Sequence, residues 1–126
     1  MILKRVGAAL LIGAMTASAV AAQGTAGFDG QYVGELTLQR VISGDCTPPP
    51  LGSLYPLTIS AGVVRFAYVP RFDTTLSGRV ANNGSFKATS RVKRGVIQMT
   101  GRTDGNHLAA SIVSPSCHYN FQARFQ

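Results

Sequence analysis

The chain closes on SPSCHYNFQARFQ, Ser114 to Gln126. Past Ser114-Pro115, every second side chain is apolar: Cys117, Tyr119, Phe121, Ala123 and Phe125 alternate with His118, Asn120, Gln122 and Arg124. Strict alternation is the signature of a strand with one face in a core and the other in solvent. It also separates Cys117 from its neighbour His118, because successive strand side chains point to opposite faces. A nucleophilic Cys-His couple needs both groups at one point, so this pair is not read as one.

The same period runs through the stretches before it. From Phe28 to Leu38, Tyr32, Gly34, Leu36 and Leu38 share one face, and Val33, Glu35, Thr37 and Gln39 the other. Ser43 to Ser53 holds three successive prolines, which cannot donate to a sheet, and reads as a loop. Leu54 to Ser60 and Val63 to Val69 flank Ala61-Gly62 as a hairpin, with Leu57, Ile59, Val64, Phe66 and Tyr68 inward. Phe72 to Val80 and Phe86 to Val92 flank the turn signal at Asn83-Gly84. Val96 to Arg102 follows Lys93-Arg94-Gly95, and Thr103 to Asn106 turns the chain into Leu108 to Val113. About eight short strands with tight turns, and no helical period, predict an up-and-down antiparallel barrel, with a two-sheet sandwich as the alternative. Leu76-Ser-Gly-Arg-Val80 and Met99-Thr-Gly-Arg102 form a loose internal echo, which duplication and simple reuse of hairpin residues explain equally well.

Compartment follows from the other end of the chain. Met1 to Ala22 carries Lys4 and Arg5, then an apolar run, then small residues of the A-x-A kind, the pattern of a secretory signal peptide. Its apolar core is shorter than the roughly 20 residues of a spanning helix. Its Ala-rich style is bacterial, and the expectation is export to the periplasm or beyond. Cleavage after Ala22 leaves 104 of the 126 residues and a net charge of +5 in place of +7. The expected organisation is a leader over 1–22, a short arm over 23–27 and one barrel domain over 28–126. A core this small gains from a covalent staple, and Cys46 and Cys117 are the only two cysteines of an exported chain. Barrel closure places the end of the first strand beside the beginning of the last, which brings these two cysteines together.

Phe28-x-Gly30-x-Tyr32 at the first strand, with Arg124 on the last, resembles the calycin barrels: lipocalins, fatty-acid-binding proteins, avidins and small bacterial metalloprotease inhibitors. Those barrels often carry Gly-x-Trp on the first strand and a basic residue packing across it from the last; here Tyr32 stands in the Trp position. The resemblance implies an eight-stranded barrel and, in the exported inhibitor branch, a domain of about this size with one disulfide.

Chemistry-bearing residues are sparse. His107 and His118 lack metal-ligand spacing, and the acids Asp29, Glu35, Asp45, Asp73 and Asp104 are scattered. No nucleophile elbow, phosphate loop or cofactor fingerprint is present, so no catalytic residue, metal or cofactor is assigned. The distinctive feature is charge. Pairing through the Asn83-Gly84 turn sets Arg79 opposite Lys87 and brings Arg102 close by, while Arg91, Lys93 and Arg94 gather towards the other end; no acid falls between Asp73 and Asp104. A solvated, edge-protecting face accounts for such a run. The functional reading is attraction to an acidic envelope protein, an anionic envelope polymer or lipid headgroups. Nucleic acid is disfavoured, because no aromatics interleave with these charges. The expectation is therefore an exported, non-enzymatic binding module acting through this basic face or its N-terminal arm, with inhibition of an extracytoplasmic hydrolase as one form. The alternative is a carrier with a small-molecule pocket inside the barrel, which inward Gly34, Gly78, Ala88, Gly101 and Ala110 would open at one end.

Overall fold

The computed structural model describes residues 27–68 and 74–126. The leader, all of the arm but Gly27, and the predicted strand ends at Val69 and Phe72 lie outside the described residues. Within them, eight antiparallel strands run in chain order: β1 Gly30–Val41, β2 Tyr55–Ser60, β3 Val63–Ala67, β4 Thr75–Arg79, β5 Ser85–Val92, β6 Gly95–Thr103, β7 His107–Val113 and β8 Cys117–Phe125. Each pairs with the next, and β8 returns to β1 from Tyr32↔Phe125 to Val41↔Cys117, closing a barrel. No sheet is left open, so the sandwich alternative falls away.

Alternation builds the interior. Leu57, Ile59, Val64, Phe66 and Tyr68 from the first hairpin and Cys117, Tyr119, Phe121 and Ala123 from β8 are buried in one cluster, which also holds Tyr32, Leu36, Leu76, Ile97 and Met99. Phe66 and Phe121 meet with ring centroids 4.9 Å apart. Phe125, expected inward, keeps 48 % of its surface exposed. It sits at the barrel mouth, where its ring meets Tyr32 edge-on at 5.5 Å. Phe125 thus fills the place where the calycin resemblance puts a basic residue: Arg124 points outward, in register with Val33 and His107.

The small inward residues do not open the barrel. A Cβ on Gly34 would fall on the Gln122 carbonyl, one on Gly78 on the Lys87 carbonyl, and one on Gly101 against Ala109, Ala110 and Phe86. These glycines let neighbouring strands approach closely, as a small, strongly curved barrel requires. Gly78 and Gly101 are the glycines of the two echoed segments, so the echo reflects one structural need met twice.

Turn chemistry sets the registers. Ala61 (φ 53°) and Gly62 (φ 77°) form a two-residue turn with both residues left-handed. Asp29 holds it: its carboxylate accepts from the Ala61 N–H at 2.7 Å and the Gly62 N–H at 3.0 Å. Asp29→Ala is expected to cost about 1 to 2 kcal/mol in urea unfolding, with Asp29→Asn retaining part of it. Equal midpoints for wild type and Asp29→Ala would refute this role. At Asn83-Gly84 the loop is longer than a two-residue turn: the Gly84 N–H bonds the Ala81 carbonyl at 2.9 Å and Gly84 is left-handed (φ 89°). This is the three-residue hairpin loop ending in a glycine bulge.

The predicted disulfide is present. Cys46 and Cys117 are joined with Cα atoms 5.8 Å apart across a sequence separation of 71. It ties the loop after β1 to the start of β8. Such a bond points to an oxidising, extracytoplasmic compartment. Among the described residues, no helix is long and apolar enough to cross a membrane.

Candidate functional site

Because inward positions are apolar, the charges of β3 to β6 are driven outward. Ser77↔Thr89 and the Val80↔Phe86 bridge flank the Arg79 and Lys87 positions and place them directly opposite. Lys87 faces Thr100, and Arg102 lies two residues beyond it on the same outer face, opposite Ser85. All three cations are exposed. Opposed like charges on a sheet cost a few tenths of a kcal/mol or more, and among the described residues no acid lies within salt-bridge distance of these three: the one such pair is His107–Asp104, at 3.9 Å. Asp104 is itself committed to its turn. Backbone N–H groups of His107 and Asn106 bond its carboxylate and hold its pKa below the ordinary value.

Two further cations belong to this wall and escape the linear reading. Arg65 on β3 is exposed and pairs with Ser77, one outward position from Arg79. Arg124 on β8 is exposed opposite His107. The alternation in Val63-Val-Arg-Phe-Ala67 does turn Arg65 outward. Its position beside β4, however, depends on a connection spanning Tyr68 to Thr74, where no turn dipeptide fixes the register; the Tyr68 N–H bonds the Thr74 carbonyl at 2.9 Å. Between Arg102 and Arg124 the outer wall is hollowed by a groove of about 450 Å³ over Ala109, flanked by His107 and Gln122 and with Asp104 at its turn end.

The second basic cluster stands at the opposite end. Arg91 is exposed at the end of β5, and Lys93 and Arg94 form the β5–β6 turn. Lys93 and Arg94 border a mouth cavity of about 320 Å³ over Tyr68, Ile97, Tyr119 and the disulfide. The Tyr119 hydroxyl donates to the Thr47 carbonyl at 3.0 Å, and burial, with Tyr68 nearby, raises its pKa. The two basic clusters therefore stand apart, at opposite ends of the barrel.

The histidines stand apart from both cysteines' chemistry. Cys117 is buried and oxidised, while His118 is on the outer face between Arg40 and Val113. Comparison with known protein families, with curated proteins and with solved structures returns no match to this chain.

Proposed function

We propose that this protein is a non-enzymatic binding module of the cell envelope that engages an acidic macromolecule through the outer wall around Arg79, Lys87 and Arg102. The supporting observation is that Arg79 and Lys87 are held directly opposite each other, exposed, with no carboxylate between them. A partner's anionic groups would relieve that repulsion on binding. A folded inhibitor of an extracytoplasmic hydrolase is one form this module takes.

A second reading rests on the mouth cavity. Its floor of Tyr68, Ile97 and Tyr119 and the cations Lys93 and Arg94, which outnumber the one acid of the lining, Asp45, suit a small amphipathic acid, which makes the protein a carrier.

Native mass spectrometry of the protein recovered from its own envelope separates the two readings. A macromolecular partner that is present at low salt and dissociates as salt rises supports the basic wall, because exposed charge pairs are screened. Reversing Arg79, Lys87 and Arg102 to Glu is expected to weaken that partner's binding about a hundredfold, at roughly 1 kcal/mol per exposed contact. A stoichiometric small adduct that survives both high salt and the reversal overturns this reading in favour of the carrier.

A further inference from the structure

The exposed cations of the wall do not form a flat patch. Arg65, Arg79, Lys87, Arg102 and Arg124 lie on β3, β4, β5, β6 and β8. Going round from β3 to β8, each successive cation is either directly opposite the last or displaced towards the Asp29 end, with three displacements of two residues over five strand steps. Strand tilt in a closed eight-stranded barrel makes a level line slip by roughly one residue per strand. The displacements match that slip, so the five side chains form a girdle at one height on the barrel.

Eight strands divide the circumference into steps of about 45°. Five steps carry the girdle about 225° round, so Arg65 and Arg124 leave the barrel about 135° apart across the remaining side. A flat rigid partner surface touches a convex wall along only a fraction of its circumference and does not meet both. A flexible chain can. At the one strand of the arc without a girdle cation, β7, the groove over Ala109 leaves a passage between Arg102 and Arg124.

From this geometry we infer that the wall's partner is a linear polyanion, carrying carboxylate or phosphate groups at regular intervals, that wraps the barrel along this girdle. The inference rests on the basic-wall reading above and specifies its partner. Single-stranded nucleic acid fits less well than a polymer without bases. Binding of that kind uses several exposed aromatics for stacking; among the described aromatics Phe125 at the mouth is the one exposed ring, beside Arg124 alone, while Tyr32, Phe66, Tyr68, Phe86, Tyr119 and Phe121 are buried inside the barrel.

The test measures binding of polyphosphate and oligogalacturonate of graded length to the disulfide-bonded protein at several salt concentrations. The girdle spans about 30 Å along the backbone wall, from five strand steps of about 4.8 Å combined with six residues of slip at about 3.3 Å each, so tripolyphosphate cannot reach both ends. Wrapping predicts affinity that climbs with length until the chain covers the arc, then levels. Long chains should show a log–log salt slope of roughly −3.5, as five neutralised cations give on a single strand. Arg65→Glu and Arg124→Glu, at the two ends, should each weaken long-chain binding about fivefold or more and leave tripolyphosphate unaffected. A preference for one polymer identifies the anion's source. If reversing Arg79, Lys87 and Arg102 abolishes binding while Arg65→Glu and Arg124→Glu change nothing, wrapping is wrong and the wall is a local patch for a folded acidic partner. If no polyanion binds at low salt while thermal unfolding shows all variants folded, wrapping fails; the basic-wall reading fails only if the native mass spectrometry also finds no salt-sensitive macromolecular partner.

Discussion

Replacing Cys46 and Cys117 together by serine is expected to lower unfolding free energy by about 4 kcal/mol, from the chain entropy that a 71-residue separation restores to the unfolded state. For a domain of this size that is a fall of roughly 15 to 30 °C in melting temperature. Location adds to loop length. The bond joins the loop after β1 to the start of β8, next to the Val41↔Cys117 pair at the far end of the closing seam. Without it the seam depends on its backbone ladder and on Leu36, Tyr119 and Phe121. The reduced wild type should match the double variant in urea unfolding. A loss below about 1 kcal/mol in both would show that packing alone closes the barrel.

Gly78→Ala should be among the most damaging small substitutions, costing about 3 kcal/mol or more, at the upper end of overpacking effects. The added methyl would occupy the place of the Lys87 carbonyl, which is backbone and cannot turn aside. The affected seam is also thin: β4 and β5 are tied by Ser77↔Thr89 and the Val80↔Phe86 bridge, whereas β5 and β6 pair from Ser85↔Arg102 to Val92↔Gly95. Gly52→Ala is the control. Gly52 has φ 80° but open space around it, so its cost is backbone strain alone, about 1 kcal/mol. Thermal melts of the two variants with the disulfide intact decide the point; equal shifts would mean that β4 and β5 can part without loss. Gly78→Ala should also displace Arg79 from Lys87 and so weaken the basic wall.

Much of this architecture was legible before folding was considered. The alternation of Cys117 to Phe125 and of Tyr32 to Leu38, the Ala61-Gly62 turn and the two lone cysteines are local patterns, and each has one physical reading. Arg79 opposite Lys87 was legible for the same reason, because a short loop ending in Gly84 fixes the register across it. Three things were not. Inward glycines look like missing volume along a strand, yet at Gly34 and Gly78 the space belongs to the backbone of the next strand. Phe125 continues the inward alternation but reaches the mouth, where exposure depends on how far neighbouring strands extend. Arg65 and Arg124 are far from the central cations in sequence and join them only through the β3–β4 pairing and, across β7, the β6–β7 and β7–β8 pairings.

The chain's own residues therefore determined strand faces, turn positions and the covalent link, because a period of two and a turn of two or three residues act over a few bonds. Tertiary structure alone decided that five cations stand at one height around the wall. Closure converts small register slips between distant strands into a common level, and no segment of the sequence carries that relation by itself.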